Sequence, residues 1–209
     1  MENCREILQQ GLQTLDIAAS DNQIDLLLDF IALMEKWNKA YNLTAVRNRE
    51  DMATLHILDS LTVLPYVEGG RVADIGTGAG LPGIPLAIFL PDVQFVLVDS
   101  NSKKTRFVQQ AILELKLKNV SVIHSRVEQI KPDRLFSSVI MRAFASLQDI
   151  IDLTSHLLDK QAVLLAMKGQ NSETEQEPIN VPYSVIPLNV PGLEAERCLI
   201  RIERKADNG

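Results

Sequence analysis

The chain is short of everything from which covalent or metal cross-links are made. Its 209 residues include two cysteines, Cys4 and Cys198, near opposite ends. That excludes a disulfide framework, and no Cys or His cluster has the spacing of a zinc site. The pair reads as two ordinary thiols in a reducing cytoplasm. No apolar run approaches a membrane span. The opening stretch Met1-Glu2-Asn3-Cys4-Arg5-Glu6 has no signal-peptide core. There is no internal repeat, no nucleophile triad and no carboxylate dyad. Positive charge is also scarce: the formal net charge is −6. Broad, sequence-blind binding to long nucleic acid needs many phosphate contacts, and this balance argues against it.

The charge is unevenly spread, however. Residues 100–142 hold nine basic side chains (Lys103, Lys104, Arg106, Lys116, Lys118, Arg126, Lys131, Arg134, Arg142) against three acids, Glu114, Glu128 and Asp133. That local excess permits a basic face on an otherwise acidic protein; the same residues can equally lie on solvated helix faces. Hydrophobic residues make up 46% of the chain, enough for one domain with an extension.

Two periodicities divide the sequence. Up to residue 65 it is helical: Ile24, Leu27, Leu28, Ile31, Met34 and Trp37 recur every three or four positions. A second helical run, Met52 to Leu64, starts after Asn48-Arg49-Glu50-Asp51 and stops at Pro65. Trp37 reads as core, while Tyr41 is open between core and a stacking partner for a base. His56 and Asp59, one helical turn apart, read as a hydrogen-bonded pair steadying the extension. From residue 71 short β-rich runs (71–75, 93–99, 119–124, 137–141, 161–167) alternate with helix-length stretches, the clearest being 102–117. Such alternation means a parallel sheet covered on both faces. His124 ends the third run and reads as packed there. Residues 169–180 are polar and expected to be mobile. Tyr183–Val190 and Arg197–Arg204 leave no room for a helix between them, so they form an antiparallel hairpin on one sheet edge. A parallel sheet finishing in that hairpin is the architecture of class I methyltransferases that use S-adenosylmethionine (SAM).

The most informative stretch is Asp74-Ile75-Gly76-Thr77-Gly78-Ala79-Gly80-Leu81-Pro82-Gly83, directly after an apolar strand. Gly78-x-Gly80-x-x-Gly83 matches the dinucleotide fingerprint in form but begins two residues late. Asp74-x-Gly76-x-Gly78-x-Gly80 starts at the strand end. Its leading acid would repel a pyrophosphate but suits the ammonium group of SAM, which carries no phosphate. Asp74 can also accept loop N–H groups, and the two roles are compatible. Asp99 closes the next strand, 19 residues after Gly80. A carboxylate there can accept both ribose hydroxyls of a nucleoside cofactor. It can also cap the next helix, although Ser100, Asn101 and Ser102 offer alternative caps. Glu128 has the same ambiguity, between cofactor vicinity and a cap on the short helix after Arg126. Arg142 follows the fourth strand, where it can face a substrate or pair with an acid. Lys103, Lys104, Arg126 and Lys168 sit near predicted strand ends and are candidate phosphate contacts.

Several long motifs resemble one family. They are Trp37-Asn38-Lys39-Ala40-Tyr41-Asn42-Leu43-Thr44, His56-Ile57-Leu58-Asp59-Ser60-Leu61, Gly76 to Pro85, Asp99-Ser100, Ser125-Arg126-Val127-Glu128, Arg142-Ala143-Phe144-Ala145 and Lys168-Gly169-Gln170. Together they resemble the RsmG (GidB) family of bacterial 16S ribosomal RNA guanine-N7 methyltransferases, from about residue 25 to the C-terminal strands. The resemblance implies an α/β class I methyltransferase: a Rossmann-like, mostly parallel seven-stranded sheet with a C-terminal antiparallel hairpin, spanning 67–209 after a helical extension at 1–66. It implies a cytoplasmic enzyme acting on N7 of guanine 527 in the small ribosomal subunit. Gly76 and Leu81 would line the methionine side of SAM, Val127 and Glu128 the adenosine, and Arg142 the reactive centre. No metal and no membrane are implied, and nothing in the chain forces a dimer. An NAD-dependent oxidoreductase, a small-molecule methyltransferase and a non-catalytic RNA-binding ribosome-assembly factor are the competing readings. The first is disfavoured by the glycine register and the hairpin. Guanine N7 already has a free lone pair, so the missing triad and dyad are no obstacle.

Overall fold

A computed structural model of the chain describes residues 2–142, 146–169 and 181–204. Seven strands form one sheet in the order β3-β2-β1-β4-β5-β7-β6. They are β1 (Arg71–Ile75), β2 (Gln94–Asp99), β3 (Val120–His124), β4 (Phe136–Arg142), β5 (Leu158–Gly169), β6 (Tyr183–Leu188) and β7 (Arg197–Glu203). The first five pair in parallel, while β7 runs antiparallel to both β5 and β6. The expected hairpin is therefore present, with β6 on the edge.

Alternation along each strand sends side chains to two separate cores. Val72, Phe95, Leu97, Ile140, Val163 and Leu165 face one side, and Ala73, Ile75, Val96, Val98, Val139 and Leu164 face the other. The first side is thickly covered by α1 (Glu2–Thr14), α2 (Asp21–Tyr41), α5 (Gly83–Phe89) and α6 (Ser102–Glu114). Here α2 buries the stripe read from its spacing, and a Ser20/Gln23 capping box starts it. Asn42 closes it in a left-handed conformation. The helical N-terminus thus packs into the same apolar cluster as the sheet: Phe30 lies 6.2 Å from Phe107 of α6.

Among the described residues, the other side carries α7 (Leu147–Thr154) and short turns. Between β3 and β4 there is only a 3₁₀ turn, Val127–Gln129, where the sequence suggested a helix-length stretch. Pro132 explains it, since it stops a helix one turn after Val127 and Ile130 have anchored the segment to the second core. The second N-terminal helix also differs from expectation. It is broken into α3 (Arg49–Met52), a π-helical segment Ala53–Leu58 and α4 (Asp59–Leu61), followed by a 3₁₀ turn Leu64–Tyr66 that contains Pro65. α6 stops at Glu114, three residues before the expected end at 117, and Lys116 turns left-handed just beyond it. Apart from Gly169, the polar 169–180 segment lies outside the described residues.

Candidate cofactor crevice at the strand ends

The chain runs outward from β1 through β2 to β3, then returns to place β4 on the other side of β1. Crevices for ligands form at such a reversal, beyond the C-terminal strand ends. Here those ends supply the glycine loop after β1, Asp99 from β2 and Arg142 from β4.

The loop resolves the register. Gly76, Gly78 and Gly80 have φ of +67°, +60° and +81°. At Gly76 a side chain would meet nothing within 4 Å, so backbone conformation, with open space above it, is what demands glycine. Gly83 has no such φ. A Cβ there would lie 2.7 Å from Asp74 Oδ2 and 2.9 Å from Leu97, so Gly83 exists to let α5 close onto an acid. Asp74 lies beneath the loop, 1% exposed. Its Oδ2 accepts from Thr77 Oγ1 at 2.7 Å and from Gly83 N–H at 2.8 Å. Burial pushes its carboxyl up to about 6, against the opposing pull of these two bonds. Leu81 has its side chain buried in the apolar core, so only its main chain borders the loop.

Asp99 ties the two strand tips together. Its Oδ2 accepts from Gly78 N–H and its Oδ1 from Asn101 N–H, both at 2.8 Å. The cap of α6 belongs to Asn101, whose Oδ1 takes the N–H groups of Lys103 and Lys104. Asp99 is thereby released from capping. Val127 and Glu128 form the 3₁₀ turn, and Glu128 makes no capping bond. Glu128 is exposed and borders a shallow depression with Asp149, Asp152, Leu153 and His156. His156 Nε2 lies 3.2 Å from Val127 O.

Arg142 is partly buried and meets residues that sequence reasoning did not join to it. Its guanidinium lies 3.2 Å from Asp59 Oδ2, 3.2 Å from Ser60 Oγ and 3.5 Å from His56 O. Arg197 of β7 approaches Asp59 Oδ1 from another side at 3.6 Å, beyond hydrogen-bond length. Burial raises the Asp59 carboxyl, with Arg142 and Arg197 opposing it. Burial likewise lowers the Arg142 guanidinium, opposed by Asp59 and Asp74. The expected His56–Asp59 hydrogen bond is not formed. His56 Nε2 lies 2.8 Å from Thr44 Oγ1, and its imidazole is held down to about 4, first by burial and then by Arg142. The π-helical turn is the reason, because its i→i+5 winding puts more residues in each turn and rotates positions three apart away from one another. No local signal announces this cluster, since its parts come from 56–60, 142 and 197.

The basic candidates divide. Lys103 and Arg126 are exposed and Lys104 partly so. Lys168 is 6% exposed, so it is corrected from a surface phosphate contact to a buried residue. It lies on β5, flanked by β4 and β7 and paired with Cys198. His124 is exposed rather than packed, with Nε2 3.0 Å from Ser100 O. Trp37 contacts Tyr41 at 5.1 Å and Phe107 at 5.7 Å on the edge of the core, while Tyr41 remains 45% exposed. Among the described residues no group of three His, Cys, Asp or Glu can hold a metal, and no helix is long and apolar enough to cross a membrane.

The family model of rRNA small subunit methyltransferase G matches residues 23–200. The chain belongs to the rRNA small subunit methyltransferase G family. A relative of that description from Legionella pneumophila (strain Philadelphia 1) is 48% identical over 95% of this chain and 94% of its own. Another from Hydrogenovibrio crunogenus is 50% identical over 94% and 93%. At the level of fold, the chain is similar to M. jannaschii TYW2 in complex with AdoMet (TM-score 0.58, 17% identity, 71% of this chain and 74% of that one). It is also similar to a SAM-dependent methyltransferase from Aquifex aeolicus (TM-score 0.55, 16% identity, 74% and 93%). The architecture is that of class I methyltransferases. For this methyltransferase G family member, the crevice fits SAM: an open floor over Gly76 and a carboxylate at the β2 tip.

Proposed function

We propose that the protein transfers the methyl group of SAM to N7 of guanine 527 in 16S ribosomal RNA of the small subunit. The observation that carries this reading is the glycine loop locked to Asp99, in a chain whose relatives are described as ribosomal RNA small subunit methyltransferases. Bound SAM supplies a methyl group already activated by its sulfonium. The N7 lone pair forms the new N–C bond while the S–C pair withdraws to sulfur, so no residue must remove a proton. The protein's task is then alignment and electrostatic preorganisation. Asp99 can accept the ribose hydroxyls through lone pairs left free by its loop bonds. Gly76 and the main chain at Leu81 border the methionine side, and Val127 and Glu128 the adenosine. Asp74 acts from below, holding the loop in shape. Arg142 is a fixed cation that can pair with the cofactor's carboxylate.

The Hoogsteen edge of guanine lies in a groove that is too deep and narrow in A-form RNA, so a loop or splayed nucleotide is the target. Lys103, Lys104 and Arg126 are the phosphate contacts in this reading. The enzyme works as a cytoplasmic monomer without metal. The test offers methyl-labelled SAM and purified protein to unmodified small subunits, to the free RNA and to an unrelated RNA. Labelled 7-methylguanosine from ribosomal RNA alone is the expected result. SAM binding with no labelled nucleoside would favour a non-catalytic assembly factor.

A further inference from the structure

Among the described residues, four buried side-chain atoms have no hydrogen-bond partner: His56 Nδ1, Asp59 Oδ1, Asp74 Oδ1 and Arg142 Nε. Buried polar atoms are nearly always paired, so atoms without a protein partner mark places where a water, an ion or a ligand completes the set. All four belong to Arg142 or to groups whose charge or contacts act on it. Arg142 touches one carboxylate and is attracted by a second. Asp59 Oδ2 is in contact at 3.2 Å, and Asp74, under the glycine loop, exerts the next strongest attraction. Asp59 is delivered by the N-terminal segment, immediately after the π-helical turn that also turns the His56 carbonyl and Ser60 hydroxyl toward the same guanidinium. π-turns interrupt a helix at a cost and occur disproportionately at functional sites.

We propose that Asp59 is a positioning residue of the cofactor site: it holds the Arg142 guanidinium away from Asp74, so that the cation faces the crevice and the glycine loop keeps its shape. The proposal rests on Arg142 serving the SAM site as read above. It gives the N-terminal segment a part in cofactor binding, across a junction where sequence alone suggests a mere extension. Without Asp59, Asp74 is the carboxylate left to attract Arg142. The cation then competes with Thr77 and Gly83 for the acid that shapes the loop.

The experiment is a double-mutant cycle on the full chain, reading the Kd of SAM by calorimetry without RNA and the melting temperature in parallel. Asp59→Asn, which keeps size and removes charge, is expected to raise the Kd about tenfold, and Arg142→Gln at least as much. Asp59→Asn combined with Arg142→Gln is expected to stay within about twofold of Arg142→Gln alone, because the acid acts only through the arginine. Additive losses in the double variant would overturn the proposal. So would a lower melting temperature in Asp59→Asn with an unchanged Kd, which is the signature of a merely structural ion pair. If Asp59→Asn does not fold, Ser60→Ala removes a weaker contact to the same group and is expected to raise the Kd about two- to threefold; no rise overturns the proposal. If Arg142→Gln binds SAM as wild type does, the proposal falls with its premise, whereas a wild-type protein that binds no SAM removes the methyltransferase reading itself.

Discussion

The glycine loop and the arginine cluster lie at the same end of the same sheet, yet they are built in opposite ways. In the loop, groups from one βαβ unit, two to twenty-one positions apart, bond one another: Asp74 takes Thr77 and Gly83, and Asp99 takes Gly78 and Asn101. In the cluster, groups more than eighty positions apart in sequence meet around Arg142, and three polar atoms there, His56 Nδ1, Asp59 Oδ1 and Arg142 Nε, lack a hydrogen-bond partner. A satisfied network is rigid and forms with the fold. A partly satisfied one has donors and acceptors left over for a ligand or a water. The crevice thus joins a prebuilt floor to a wall with hydrogen-bonding capacity to spare, and Asp74, whose Oδ1 has no partner, belongs to both.

If the floor carries most of the binding energy, damage to it should exceed any damage to the wall. Asp99→Ala removes the carboxylate that joins the two strand tips and that faces the ribose in the proposed complex. SAM affinity should fall at least about a hundredfold, two charged hydrogen bonds' worth, against about tenfold for Asp59→Asn. Calorimetry on both variants decides this, and a smaller loss for Asp99→Ala would break the comparison.

Gly83→Ala tests the floor's packing instead of its charge. The new methyl would press on Asp74 Oδ2 and Leu97 in a fully buried place, where overpacking costs about 1–3 kcal/mol. Gly76→Ala meets no atom and bears only the strain of its positive φ, about 1–2 kcal/mol. Denaturant unfolding should therefore rank Gly83→Ala as the more damaging, with SAM affinity lost alongside because Asp74 is displaced.

The same contrast explains what could be read from the sequence. The loop's register was legible because a ten-residue motif carries its own geometry: a strand end, an acid, three left-handed glycines. The parallel sheet and the terminal hairpin were legible because buried strands alternating with helical stripes leave few arrangements, although their order in the sheet was not read. The His56–Asp59 pair was misjudged because three-residue spacing implies contact only in an α-helix, and this turn is π-helical. The arginine cluster was invisible for a different reason. Pairing between residues 59, 142 and 197 is a product of tertiary closure, to which no local pattern testifies. Lys168 follows the same logic, since position near a strand end does not say which neighbours cover it.

Acid titration sharpens the comparison further, because Asp74 and His56 respond in opposite directions. His56 is held down to about 4 when folded, against 6.5 when unfolded, so its contribution is complete above pH 6.5 and is lost as pH falls toward 4. Asp74 is raised from 3.8 to about 6, so its contribution is present below pH 3.8 and is lost as pH rises through about 6. Melting temperatures across about pH 4.5 to 7 should show it. The gap between wild type and His56→Gln narrows as the solution is acidified. Wild type loses ground to Asp74→Asn as it is made neutral. Gaps that move in parallel would mean that floor and wall are not distinct electrostatic environments.

The smallest effects should come from outside the crevice, where the basic candidates can be separated by burial. Lys103 and Arg126 are exposed charges, and each is expected to release about one phosphate's worth of counterions, a slope near 0.7–0.9 in log affinity against log salt. Replacing either with Gln should weaken binding of ribosomal RNA several-fold, flatten that slope by about the same amount, and leave SAM affinity untouched. Lys168→Gln should do the reverse. With its charge already withdrawn into β5, the salt slope stays as it was and the melting temperature falls. Three cations near one sheet end would then be sorted by what covers them, and a flattened slope for Lys168→Gln would show that β5 opens when RNA binds.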